Sequence, residues 1–381
     1  MNIGIITQPL RINYGGLLQN YALQQVLKKL GHEVITLDQT KNPVSKLRIV
    51  ASLTKTFILK MLNKGDGREY YFQLDQLSDS IIRQHSQYFV DKYIDHTQPM
   101  FKSKDFRNYC KNNKIDLLIV GSDQVWRPIY NSYNIYRSFL DFAIGLNVKR
   151  LSYAASFGVD YWEFTYLQTF RCKRLIKLFD SISVREESGV DLCNQYFSRT
   201  AEHVLDPTML LDKEDYEKLV YNENEPKSPG NLFTYILDDS NVKKQLINIT
   251  AKCLGLEPFK VMQNKRPNRE SIKHIDDCII PPVTKWIRAF MDAKFVVCDS
   301  FHGVVFSIIF NKPFLAIGNA DRGLSRFTSL LKSYGLEDRI VTSIEDDLTI
   351  IHKRIDWNKI NSIRNNLKNK SYSYIKQNIT L

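Results

Sequence analysis

The stretch Phe295-Val-Val-Cys-Asp-Ser-Phe-His-Gly-Val-Val-Phe-Ser-Ile-Ile-Phe-Asn-Lys-Pro313 constrains the fold more than any other part of the chain. Phe295 to Cys298 is a short apolar run and reads as a buried strand. Asp299 and Ser300 are both good N-cap residues. Val304, Val305, Ile308 and Ile309 then recur at helical spacing, and Pro313 stops the helix. His302 therefore falls in the first helical turn, just outside the carboxyl end of a strand. Open α/β sheets bind ligands there, and the amide groups of a helix N-terminus can take an anion. Gly303 beside it would let a ligand approach the backbone. A lone histidine is more often structural than catalytic, so the rest of the chain has to decide its role.

The rest of the chain repeats this grammar. Ile3 to Ile6 is a strand, Leu17 to Leu30 carries a helical apolar pattern closed by Gly31, and Glu33 to Leu37 is a second strand. This is a βαβ opening and predicts a parallel sheet. A strand at Asp116–Val120 runs into a polar turn, the stretches Lys149–Gly158 and Ser181–Ser188 repeat that strand-then-turn pattern, and a further strand at His203 runs into Asp206-Pro207. Asn222 to Gly230 is the one linker-like stretch. A second α/β series follows it, with strands at 232–237, 259–262, 295–298 and 314–317. The expected fold is thus α/β with two Rossmann-like domains, residues 1–222 and 230–350. A helical tail, 351–381, is expected to pack back across the first of them.

Composition narrows the function. An excess of 53 Lys+Arg over 41 Asp+Glu favours anionic ligands, but the cations are scattered and match no nucleic-acid motif. No nucleic-acid partner is expected. The six cysteines form no Cys-x-x-Cys pair and have no histidine at metal spacing, so reduced thiols and no metal are expected. Met1 leads directly into a strand, and no apolar run is long enough to span a bilayer. A cytoplasmic protein is expected. The apolar, lysine-flanked stretch 47–62 reads first as a core helix with a solvated face, and second as a helix resting peripherally on the inner membrane surface. A homo-oligomer is compatible with the sequence.

Four loops carry candidate chemistry. Asn13-Tyr14-Gly15-Gly16 follows the first strand and lacks the spaced-glycine dinucleotide fingerprint. Ser122-Asp123-Gln124, after Gly121 and before Trp126, suggests a loop for sugar hydroxyls. The plainer reading there is a tight turn with Trp126 packed on the domain. Arg185 ends a strand and offers a planar fork for a phosphate or carboxylate. Arg322 and Arg326 lie in the loop read at 318–327.

Taken together, Asn13-Tyr-Gly-Gly16 with Leu18-Gln-Asn20, Val120-Gly-Ser-Asp-Gln124, Ser183-Val-Arg-Glu186, Leu205-Asp-Pro207 and Asp299-Ser-Phe-His-Gly303 resemble the polysaccharide pyruvyl transferase family. The resemblance implies two facing Rossmann-type domains of the GT-B kind, with the site in the cleft between them. It implies transfer of the enolpyruvyl unit of phosphoenolpyruvate, a co-substrate and not a cofactor, to two hydroxyls of a surface glycan or a lipid-linked oligosaccharide, forming a cyclic ketal. His302 matches the family's catalytic histidine and Arg185 its donor-binding arginine. Ser300 stands where some members carry an arginine, so Arg322 and Arg326 are the expected replacements, with Ser300 and Gly303 at the donor. Asn13, Tyr14, Gly15, Gly16, Ser122, Asp123 and Gln124 are the expected acceptor side. The competing readings are a glycosyltransferase on a nucleotide sugar, with Asp238-Asp239 at the ribose, and a non-catalytic glycan-binding relative.

Overall fold

The structure is a computed structural model that describes residues 1–40, 54, 74–131, 135–318 and 324–379, with the side chain of Ser325 excepted. Arg322 and the stretch 47–62, apart from Thr54, lie outside the described residues. The strands are β1 (Asn2–Ile6), β2 (Glu33–Thr36), β3 (Leu117–Val120), β4 (Lys149–Ser152), β5 (Ser183–Val184), β6 (Glu202–His203), β7 (Leu232–Tyr235), β8 (Pro258–Lys260), β9 (Phe295–Cys298), β10 (Phe314–Ile317) and β11 (Ile340–Val341). The longer helices are α1 (Tyr14–Lys29), α2 (Gln76–Tyr93), α3 (Ser103–Asn112), α4 (Tyr166–Ile176), α5 (Glu187–Leu192), α6 (Lys213–Asn222), α7 (Asn241–Leu254), α8 (Val283–Asp292), α9 (Phe301–Ile309), α10 (Leu324–Tyr334) and α11 (Trp357–Ile379).

Two parallel sheets organise the chain. The first has the order β2-β1-β3-β4, with Ile5 paired to Thr36 on one side and to Ile119 on the other. Single bridges from Leu151 to Ser181 and from Ala155 to Val184 carry it on to the β5–β6 pair. The second has the order β11-β10-β9-β7-β8. Both orders reverse once, between β1 and β3 in the first sheet and between β7 and β9 in the second. A reversal opens a crevice at the carboxyl ends, because the two flanking connections leave in opposite directions. The crevices face each other. This is an α/β architecture of two Rossmann-like halves.

An apolar seam joins the halves. Leu17, Leu18 and Tyr216 share one buried cluster with Trp286, Val305 and Phe306. Trp286 packs edge-on against Phe306, with ring centroids 4.8 Å apart. Helix α11 returns to the first half, as expected of the tail. Tyr374 donates to the Ser152 carbonyl, Arg364 to the Met209 carbonyl, and Ser371 Oγ accepts from the Leu205 amide. One element starts earlier than its pattern suggests. Helix α1 begins at Tyr14, so Gly15 and Gly16 are helical rather than part of a loop. Among the described residues no helix is long and apolar enough to cross a membrane.

Candidate active site

The two crevices form one cleft of about 540 Å³, lined from the first half by Asn13, Asp123, Gln124 and Tyr130 and from the second by Asp299, Ser300, His302 and Arg326. Helix α9 starts here because Ser300 caps it, its Oγ accepting from the Gly303 amide at 3.4 Å. Helix α1 starts here too, with Asn13 as its cap residue. Two helix N-termini, one from each sheet, therefore converge on the cleft, and each carries about half a positive charge.

His302 is the point of contact between them. Its ring lies so close to Gly15 that a Cβ there would sit 2.0 Å from Nδ1. On its other side Nε2 is 3.7 Å from Asp206 Oδ2, too long for a hydrogen bond, and this buried nitrogen has no hydrogen-bond partner. Asp206 is the hub behind the histidine. Its Oδ2 accepts from Ser122 Oγ at 2.9 Å and from Arg185 Nη1 at 2.8 Å, and its Oδ1 accepts from the amide and hydroxyl of Thr208. Burial alone would raise the Asp206 pKa, but His302, Arg185 and Thr208 outweigh it and hold the carboxyl well below the usual range.

Arg185 is enclosed beneath this floor rather than open to the cleft. Besides Asp206 it meets Glu186 Oε1 at 3.3 Å and Asp123 Oδ1 at 3.8 Å, and its guanidinium lies 4.2 Å from the Phe301 ring centroid. Only its Nη2 lacks a hydrogen bond. Arg326 does reach the cleft, from the first turn of α10 and not from a loop. Desolvation, reinforced by the positive charge of Arg185, pushes its pKa down to about 10.

Several expected ligand residues have other partners. Tyr14 is buried and donates to the Pro281 carbonyl at 2.8 Å, so its hydroxyl ties the halves together and is not presented to an acceptor. Gly15 is covered by His302, and a Cβ at Gly16 would lie 3.3 Å from Asn13 Nδ2. Ser122 is fully buried on Asp206. Gly303 lets α9 approach β9, since a Cβ there would meet Cys298 Cβ at 2.8 Å, so its lack of a side chain serves packing. Asn13 and Asp123 do line the cleft and are bonded to each other, Nδ2 to Oδ2 at 3.2 Å. Asp123 has φ 69°, a left-handed conformation that aspartate tolerates better than most residues. Gln124 lines the cleft with its Oε1 held by Arg127 Nη1 at 3.1 Å. Trp126 is wholly buried, its Nε1 donating to the Ser138 carbonyl, as the tight-turn reading expects. Asp238 is ion-paired with Lys243, which also binds Asp299 at 2.6 Å.

Asp206, Glu186 and Arg127 were not assigned roles from the sequence. Asp206 stood in the Leu205-Asp-Pro207 motif, and a carboxylate in a strand-to-proline turn was the available signal. Among the described residues no group of three or more His, Cys, Asp or Glu side chains is arranged to hold a metal ion.

A histidine backed by a buried carboxylate thus lies in a cleft between two Rossmann-like halves. The polysaccharide pyruvyl transferase family matches residues 13–322, and the chain belongs to that family. It is a transferase that acts on polysaccharide. No curated protein matches the sequence. Similar solved structures include UDP-GlcNAc 2-epimerase from Neisseria meningitidis bound to UDP-GlcNAc, with TM-score 0.48 and 10% identity over 97% of this chain and 94% of that one. They also include the UDP-GlcNAc 2-epimerase from Methanocaldococcus jannaschii, with TM-score 0.46 and 11% identity over 95% and 91% of the two chains. The spinosyn rhamnosyltransferase SpnG has TM-score 0.46 and 10% identity over 98% and 96%.

Proposed function

We propose that this transferase takes the pyruvyl unit from phosphoenolpyruvate and places it on two hydroxyls of one sugar in a surface polysaccharide or its precursor, giving a cyclic ketal. The observation that carries the donor is Arg326. Its desolvated guanidinium, pressed by the charge of Arg185, stands with His302 in a cleft onto which two helix N-termini converge. A cationic side chain and two helix N-termini in one cleft suit a donor that brings both a phosphate and a carboxylate.

The chemistry follows from the residue types. A proton goes to the methylene carbon of the donor, leaving a cationic centre at the neighbouring carbon. One sugar hydroxyl adds there and loses its proton. Phosphate then leaves with the C–O bonding electrons, and the second hydroxyl closes the ketal and loses its proton. Each turnover converts phosphoenolpyruvate and a diol to ketal and inorganic phosphate. His302 moves the protons, and Asp206 orients its ring and stabilises it when charged. The 3.7 Å gap between them is of the kind that tightens when substrate binds. Asn13, Asp123 and Gln124 face the acceptor hydroxyls.

Thermal melts test the donor. A ligand at about a hundred times its Kd stabilises the folded state by about 2.7 kcal/mol. Phosphoenolpyruvate is expected to raise the Tm, and UDP- or GDP-sugars are not. His302→Gln is expected to keep that shift and lose turnover. A melt that responds to a nucleotide sugar and not to phosphoenolpyruvate would overturn the reading.

A further inference from the structure

Helix α4 has two faces of opposite character. Cys172, Leu175 and Ile176 are buried in the core with Phe164 and Phe179. The outward face carries Tyr166, Leu167 and Phe170, which are 89%, 55% and 54% exposed. Single exposed apolar residues need no explanation, but three at helical spacing on one face do. The flank is as unusual. From Phe164 to Phe179 there are four basic residues, Arg171, Lys173, Arg174 and Lys177, and no acidic one. The Arg174 guanidinium lies 5.9 Å from the Phe170 ring centroid, so cation and apolar surface form one patch.

The segment just ahead of α4 is linked to the cleft wall. Tyr161, itself 59% exposed, contacts Glu163, which Arg127 grips through two bonds of 3.0 Å. Arg127 in turn lies 4.9 Å from the ring centroid of Tyr130 on the cleft wall.

We propose that the outward face of α4 docks on an anionic lipid surface. Aromatic and aliphatic side chains enter the boundary between headgroups and acyl chains, while Arg and Lys stems lie along it with their charges on lipid phosphates. Charge complementarity selects this occupant. A second copy of the chain packed face to face would set one copy's four cations against the other's, which like-charge juxtaposition disfavours. Contact with a bilayer suits an acceptor carried on a lipid, a point that rests on the proposed function. The surface itself needs no particular donor, so its test reads binding and not turnover.

Flotation of the full chain with vesicles decides it. The protein is expected to float with phosphatidylcholine–phosphatidylglycerol vesicles, to do so less as salt rises, and to float poorly with phosphatidylcholine alone. The double variant Arg171→Glu/Arg174→Glu and the double variant Leu167→Ser/Phe170→Ser are each expected to weaken partition by about tenfold or more. All four positions are exposed, and unchanged circular dichroism checks that the variants fold. The proposal fails if the protein does not float with anionic vesicles, or if both double variants float as the parent does. It also fails if these variants instead convert a dimer to a monomer in sedimentation velocity, which would assign the face to a second copy.

Discussion

Gly15 and His302 come from opposite halves of the chain and touch so closely that a methyl carbon at Gly15 would stand 2.0 Å from the imidazole Nδ1. The contact couples the closeness of the two halves to the direction of the imidazole ring. Any side chain at position 15 has to push the imidazole away from Asp206 or push the halves apart.

Gly15→Ala is therefore expected to damage turnover far more than folding. The histidine can swing aside, so the melting temperature falls modestly. A displacement of about 1 Å at a reacting group costs on the order of a hundredfold in rate. Steady-state assays beside a melt check this, and a Gly15→Ala enzyme with parental kcat would remove the contact from the mechanism.

Asp206 gives a prediction with a sign. Its folded-state pKa lies below the ordinary aspartate value of about 3.9. A carboxylate of that kind contributes stability that is complete above the unfolded-state value and is lost as pH falls below it toward the folded-state value. The protein should hold its stability from neutrality down to about pH 5 and lose it steadily below about pH 4. Asp206→Asn should flatten the acid limb of that curve. At neutral pH it should cost about 3–5 kcal/mol, because it leaves the Arg185 charge buried with one partner fewer. Denaturant titrations across pH measure both. An acid limb of unchanged steepness in the variant would show that other carboxylates carry it.

Much of this site was legible from local patterns. The strand β9, the Ser300 cap and the position of His302 follow from four apolar residues, two cap residues and a helical repeat within one continuous stretch. What the sequence does not carry is which polar residues spend their hydrogen bonds on each other. Ser122, Arg185 and Asp206 come from three separate segments and meet only when β3, β5 and β6 are assembled. Tyr14 looked like a ligand-binding tyrosine because its partner, the Pro281 carbonyl, lies 267 residues away. Gly303 was read as room for a ligand, and the strand–helix packing it serves involves Cys298, five residues earlier.

Arg326 separates affinity from stability. Its charge is desolvated and faces Arg185, with Glu186 and Asp123 offsetting part of that repulsion. Arg326→Met should shrink the shift produced by phosphoenolpyruvate by more than it changes the melting temperature of the free enzyme. Side-by-side melts with and without the donor check this. An undiminished shift would move donor binding elsewhere in the cleft.

Arg185 is the residue whose expected role and observed surroundings pull apart. As a donor-binding arginine it should face the cleft, yet its side chain is 1% exposed and two of its three nitrogens are bonded to carboxylates. A planar guanidinium can satisfy Asp206 and Glu186 at once while stacking on Phe301, and an ammonium on a flexible stem cannot. Arg185→Lys should therefore behave first as a folding defect. We expect a loss of about 3 kcal/mol or more, typical of breaking a buried ion network. Turnover should fall because Asp206 no longer holds its place behind His302. The affinity of the folded fraction for phosphoenolpyruvate should change less than in Arg326→Met. Chemical denaturation and donor titration by calorimetry, run on the same preparation, separate the two effects. If stability survives and donor binding is lost, then Nη2, the nitrogen without a hydrogen bond, is what grips the donor.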